Sequence, residues 1–94
     1  MMRFAVDIDG TICSNETDYN KSVPFTKRID RVNQLFEAGH TIWIFTARDK
    51  GKWKEFTEEQ LKKWGVRYNR LIMDKPNAAI FIDDKGYGDD YLDK

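Results

Sequence analysis

Residues 6–12 read VDIDGTI, an apolar strand that runs into two carboxylates, Asp7 and Asp9, and then into Gly10 and Thr11. Two like charges at a buried strand end oppose each other's ionisation, and neither gains from leaving water. A cation or a proton between them removes the conflict. On the N-terminal side, Phe4-Ala5-Val6 with Ile8 forms a short, nearly continuous apolar run, the mark of a strand covered on both faces. On the C-terminal side, residues 13–23 (CSNETDYNKSV) are polar and turn-rich without a sustained period, so 13–24 reads as a loop or small flap.

Further out, Pro24 suits a first helical turn, and Phe25, Ile29, Val32, Leu35 and Phe36 recur on one helical face up to Gly39. Thr41-Ile42-Trp43-Ile44-Phe45-Thr46 is a second buried strand, ending in Ala47-Arg48-Asp49. A helix is expected between Lys52 and Trp64, with Trp53, Phe56, Leu61 and Trp64 apolar and Gly65 as its stop; Thr57 with Gln60 is also a capping-box pattern that would start a shorter helix. Arg70–Met73 is a short third strand, Lys75-Pro76-Asn77 a turn, and Ala79–Ile82 a fourth strand ending at Asp83-Asp84, before a polar tail.

This alternation predicts the α/β class: a three-layer Rossmann-like domain with a short, mostly parallel sheet flanked by helices. Asp7, Asp9, Thr46, Asp83 and Asp84 then all fall at the carboxyl ends of strands, the edge where open parallel sheets bind ligands.

The totals agree with one folded domain over residues 1–94. Hydrophobic content of 40% and aromatic content of 14% belong to a packed globule, not a disordered tail. Acid and base cancel to a net charge of zero, so no global field favours nucleic acid or an anionic membrane, and any attraction for phosphate must be local. The apolar runs are far shorter than the roughly 20 residues that span a bilayer, and no signal-peptide core precedes the first strand, so a cytoplasmic location is expected. Cys13 is the only cysteine, which excludes an intramolecular disulfide and a cysteine-cluster metal site. His40, the single histidine, belongs at the opposite end of a strand from Cys13, so the thiol reads as a packing residue and not as half of a Cys-His pair.

Four motifs now stand in a recognisable order: DIDGT at 7–11, the Thr of IFTAR at 46, Lys75 in DKP, and IDD at 82–84. With them the chain resembles the haloacid dehalogenase superfamily of phosphatases and phosphotransferases over almost its whole length. About a dozen residues separate DIDGT from the first helix, and one helix and one strand fill the stretch from Thr46 to Lys75. The resemblance is therefore to the capless type, and within it to short phosphatases of capsule or surface-polysaccharide biosynthesis.

That resemblance implies a Mg²⁺-dependent phosphomonoester hydrolase. Asp7 would be the nucleophile that forms an aspartyl-phosphate, and Asp9 the general acid and then base. Mg²⁺ would sit between the Asp7 carboxylate, the Asp9 backbone carbonyl and Asp83, with Asp84 as a ligand through water or an orienting group. Thr46 would donate its hydroxyl to a phosphoryl oxygen, with backbone N–H groups at Ala47 and Arg48 beside it, and Lys75 would supply a point charge. Gly10 would allow close backbone approach, and Thr11 would stabilise the turn. With metal and Lys75 holding Asp7 ionised, the proton falls to Asp9, and the opening conflict is resolved.

Singly, Thr46, Lys75 and Asp83-Asp84 read as ordinary strand-end, surface and turn residues; their place in the set promotes them. Arg48 and Asp49 are either substrate-facing or a loop salt bridge. Lys50, Lys52, Lys54, Lys62, Lys63, Arg67 and Arg70 read as the wet face of the second helix and its surroundings, with the interleaved aromatics as core. The expected partner is a small phosphorylated substrate, a sugar phosphate first and a nucleotide or nucleic-acid end second. Neither membrane nor nucleic-acid binding is expected, and a homodimer could cover the open site and an exposed sheet edge. A receiver-type module has its acidic pair first and its Lys last, the reverse of this order. A binding domain without turnover would not need Asp7 and Asp9 intact.

Overall fold

The β-branched and aromatic residues TIWIF at 41–45 form the middle strand of a parallel sheet. In this computed structural model, which describes residues 1–74, β1 (Arg3–Asp7) and β3 (Arg70–Ile72) lie on either side of β2 (Thr41–Phe45). The helices α1 (Thr26–Glu37) and α2 (Lys50–Lys63) make the two crossovers. This is a small α/β Rossmann-like domain, the expected class. Lys75, Asp83, Asp84, the expected fourth strand and the tail lie outside the described residues.

The register sets Val6 opposite Ile44 and Ile44 opposite Leu71, and Asp7 opposite Phe45 and Phe45 opposite Ile72. The three strands therefore finish level, and the segments that leave them share one edge. Burial alternates along β1 and β2: Phe4, Val6, Ile42 and Ile44 are buried, whereas Ala5, Asp7, Trp43 and Phe45 are half-buried. Two crossovers that step the same way across the sheet, each with the right-handed sense of βαβ units, bring both helices to one face. Ile29, Val32 and Leu35 of α1 and Leu61 of α2 join the buried strand residues in one core. Among the described residues both helices therefore pack on the face that carries this core. On the other face Trp43 lies between two guanidiniums, Arg3 at 4.3 Å and Arg70 at 5.2 Å from the ring centroid.

Both helices start elsewhere than expected. Pro24 precedes α1, pairing with Cys13 across the base of the flap, and Phe25 is the N-cap residue, exposed instead of on the core face. Asp49 starts α2 at Lys50, its Oδ1 accepting the Gly51 N–H at 2.9 Å. The Thr57/Gln60 pair lies well inside that helix and caps nothing.

The helix ends follow the sequence closely. Gly39 (φ +95°) and Gly65 (φ +72°) each take the left-handed conformation one residue past the C-cap. The paired bonds of a Schellman motif close both ends: His40 N–H to Leu35 O and Gly39 N–H to Phe36 O, then Val66 N–H to Leu61 O and Gly65 N–H to Lys62 O. A Cβ at Gly65 would meet no atom within 4 Å, so Gly65→Ala isolates the backbone cost. It is expected to destabilise by about 1–2 kcal/mol, and thermal unfolding should show Tm falling by roughly 4–8 °C per kcal/mol. Asn33 of α1 then fastens the turn that follows: its Nδ2 donates to Gly65 O, and its Oδ1 accepts the Arg67 N–H, both at 2.9 Å. Among the described residues no helix is long and apolar enough to cross a membrane.

Candidate active site

The chain leaves β1 through a turn that only glycine makes easily. Gly10 has φ +83°, its N–H donates to Cys13 O at 2.8 Å, and the Thr11 and Ile12 N–H groups both reach Ile8 O at 3.0 Å. This turn leaves Asp7 and Asp9 half-buried at the carboxyl edge of the sheet, while Ile8 between them is fully buried. Asp7 Oδ1 accepts the Ile8 N–H at 3.1 Å, which restrains the carboxylate. Thr11 is buried, and its carbonyl accepts from Arg28 Nη1 at 2.9 Å, in keeping with a turn-stabilising residue.

Residues 13–24 close on themselves as a stapled loop. Ser14 N–H bonds Val23 O, Val23 N–H bonds Ser14 Oγ, and Phe25 N–H bonds Ile12 O, each at 2.8 Å. A single 3-10 turn, Tyr19–Lys21, forms its outer part under the N-cap Asp18. Hydrogen bonding from the Asn20 backbone N–H holds the Asp18 carboxyl below its usual range.

A cleft of about 410 Å³ opens between this loop and the sheet edge. Asp7, Asp9 and Ala47 line its floor and side, and Asn15, Glu16, Thr17 and Tyr19 of the loop line the rest. The loop residues are ones that sequence reasoning missed: their spacing has no period, and only the stapled base brings them over the Asp pair. Gly10 and Thr11, expected as substrate contacts, are not among the residues that line this cleft. Thr46 is buried at the end of β2, its Oγ1 accepting the Arg48 N–H at 3.1 Å. That bond leaves the hydroxyl proton available to donate.

Arg48 is placed differently from the expectation of a substrate contact or of a pair with Asp49. It is 1% exposed. Nε donates to Asp9 Oδ2 at 3.1 Å and Nη2 to Asp9 Oδ1 at 2.8 Å, a two-pronged ion pair. Nη1 donates to Thr57 Oγ1 at 3.1 Å and to Gln60 Oε1 at 2.8 Å. The Tyr19 ring covers the guanidinium at 4.2 Å. Gln60 Nε2 in turn donates to Tyr19 O at 2.9 Å, tying the loop to α2. Trp53 and Phe56, expected in the sheet core, instead continue this contact outward, with the Trp53 ring edge-on to Tyr19 at 4.9 Å and to Phe56 at 5.4 Å. The inward face of α2 is therefore Thr57, Gln60 and Leu61.

Cys13 and His40 sit apart, as their positions in the sequence imply. His40 accepts the Met2 N–H on Nδ1 at 3.0 Å and stands edge-on to Phe4, at the start of β1. Burial first, and the nearby Asp9 charge second, push the Cys13 thiol up to about 11. Alkylation by iodoacetamide at pH 8 is expected to run about 100-fold slower than at an ordinary thiol from protonation alone, and to accelerate on unfolding. Because the folded state holds this proton more tightly, the contribution to stability is full below pH 9 and is lost as pH climbs toward 11.

Of the expected Mg²⁺ donors, Asp7 and Asp9 belong to the described residues, and among these no group of three or more His, Cys, Asp or Glu side chains gathers round one point. An all-oxygen set of this kind suits a hard cation.

Solved proteins share this fold. A crystal structure of an MCSG target from Vibrio cholerae is similar over 98% of this chain and 87% of its own, at 27% identity and a TM-score of 0.79. A chain of the Pnkp1/Rnl/Hen1 complex is similar at 21% identity and a TM-score of 0.69 over 88% of this chain. A chain of the Pnkp1/Rnl/Hen1 RNA repair complex matches 97% of it at 19% identity and 0.68. The likeness occupies 30% and 29% of those two longer chains. No family model and no curated protein matches the chain.

Proposed function

We propose that the protein is a Mg²⁺-dependent phosphomonoester hydrolase of the haloacid dehalogenase type, acting through an aspartyl-phosphate on Asp7. The observation that carries the reading is the convergence of Asp7 and Asp9 on one cleft at the carboxyl edge of a parallel sheet, beside the β2 exit that holds Thr46 and Ala47. An Asp7 carboxylate oxygen attacks phosphorus, and the ester P–O bond breaks as Asp9 gives its proton to the leaving oxygen. Water then attacks phosphorus and passes a proton to Asp9, the bond between Asp7 and phosphorus breaks, and both carboxyl groups are restored. Asp7, the Asp9 carbonyl, Asp83 and Asp84 would hold Mg²⁺, which when bound neutralises charge on the phosphoryl oxygens. The Thr46 hydroxyl and the Lys75 ammonium would bind those same oxygens.

The leading substrate class is a sugar phosphate, because the cleft rim at Asn15, Glu16 and Thr17 offers acceptors and donors suited to a hydroxyl-rich leaving group. A nucleic-acid end is the second reading. It is favoured by the likeness to chains of an RNA repair complex and by a hollow of about 470 Å³ along β3 in which Lys50, Lys54 and Arg70 outnumber Glu58 and Asp74. The test is release of inorganic phosphate from p-nitrophenyl phosphate, from a panel of sugar phosphates and from a 3′-phosphorylated oligonucleotide, each with Mg²⁺ and with EDTA. Turnover with Mg²⁺ that EDTA abolishes is the expected result; folded protein that hydrolyses none of them with Mg²⁺ present would sink the reading.

A further inference from the structure

We infer that Arg48 is a positioning residue, aiming the Asp9 carboxyl at the leaving oxygen and acting on the reaction only through Asp9. The inference rests on the phosphatase reading for its chemistry, and on geometry for its substance. A buried guanidinium is a costly device for stability alone, since apolar side chains of similar volume commonly serve as well. Here it also draws two polar acceptors, Thr57 and Gln60, onto the helix face that packs inward. What that arrangement fixes is direction. Nε and Nη2 meet the two Asp9 oxygens separately, so the carboxyl group cannot rotate about its Cβ–Cγ bond without losing a bond.

The same contacts choose which Asp9 oxygen does the chemistry. Among the described residues Oδ1 is met by Arg48 Nη2 and by the Cys13 thiol, which at 3.7 Å shares its one proton between Oδ1 and the Ile8 carbonyl at 3.6 Å, whereas Oδ2 is met by Arg48 Nε. A carboxyl oxygen has two lone-pair directions, so Oδ2 keeps one for the proton that is passed to the ester and later taken from water. Thr57 and Gln60 hold the far end of the fork, and Tyr19 closes its face. The loop that lines the cleft and the residue that protonates the leaving group are thus joined through one side chain.

The experiment compares two esters. A p-nitrophenolate departs readily without a proton, whereas an alkoxide such as that of glycerol 2-phosphate needs one. General acid catalysis supplies typically 10²–10⁴-fold. Arg48→Lys, which keeps the charge and loses the fork, is therefore expected to lower kcat/KM on glycerol 2-phosphate by about 100-fold and on p-nitrophenyl phosphate by less than about 10-fold. Thr57→Val should shift the ratio of the two in the same direction, and Thr57→Ser should restore it. In an Asp9→Asn background Arg48→Lys should have no further effect on either ester. The Thr57 pair leaves the ion pair in place, so it serves even if Arg48→Lys does not fold. A readout independent of turnover is the ¹⁵N-detected Arg48 Nε–H resonance, expected to exchange slowly, to move in Asp9→Asn and to stay put in Asp7→Asn. Equal slowing of both esters by Thr57→Val, or an Arg48→Lys effect that persists without Asp9, would overturn the inference. If wild-type protein hydrolyses neither ester, the phosphatase reading fails, and a resonance indifferent to Asp9→Asn fails the positioning role by itself.

Discussion

Asp7→Asn is expected to lower kcat on any phosphomonoester by about 10⁴-fold or more, with the melting temperature nearly unchanged. The two halves of that expectation have separate causes. Asn matches Asp in shape, and its Oδ1 can still accept the Ile8 N–H, the contact that restrains Asp7 at the end of β1. The side chain is half-buried on a cleft wall, so no packed volume changes. Chemically, an amide is a far weaker nucleophile toward phosphorus than a carboxylate, and it loses the negative oxygen that a cation would bind. A 10⁴-fold loss corresponds to about 5.5 kcal/mol of transition-state stabilisation, a size typical of removing a covalent nucleophile. Steady-state assays paired with thermal unfolding check both halves. Retained turnover in a folded Asp7→Asn protein would assign the nucleophile to another residue.

The second large effect is on stability. Arg48→Met keeps much of the side-chain volume but leaves Asp9, Thr57 and Gln60 facing an apolar group. Removing one member of a buried, hydrogen-bonded ion pair costs about 3–5 kcal/mol, mostly because the other member stays behind uncompensated. The Asp9 side chain keeps 18% of its exposure, so the lower end, about 3 kcal/mol, is expected. For a chain of this size that corresponds to a fall in Tm of roughly 12–24 °C. If the cost is that of the stranded carboxylate, the double variant Arg48→Met with Asp9→Asn should recover a large part of it. A double variant no more stable than Arg48→Met alone would instead locate the cost in lost packing beneath Tyr19 and α2.

Much of this was legible from residue order. The strands at 3–7, 41–45 and 70–72, the glycine stops at Gly39 and Gly65 and the loop at 13–24 all follow from local rules. Apolar runs resist water, glycine alone reaches positive φ cheaply, and polar segments without a period do not form helices. The inward face of α2 is not legible in the sequence, because its apolar residues suggest a face of Trp53, Phe56, Leu61 and Trp64. In the fold Trp53 packs on Tyr19 and Phe56 on Trp53, and the inward positions belong to Thr57, Gln60 and Leu61. Helical period cannot distinguish a stripe that meets a sheet from one that meets a loop.

The sequence by itself determined the α/β class and the place of the Asp pair at a strand's carboxyl end, because both are properties of contiguous residues. Only the tertiary structure decided the partnership of Asp9. Arg48 lies 39 residues away along the chain, and Thr57 and Gln60 a further 9 and 12 beyond it, so no local pattern links them. They meet because β1 and β2 finish level, bringing the turn after Asp7 beside the turn after Phe45. At that edge α2 turns back over the sheet and offers two acceptors to a guanidinium that could not otherwise be buried.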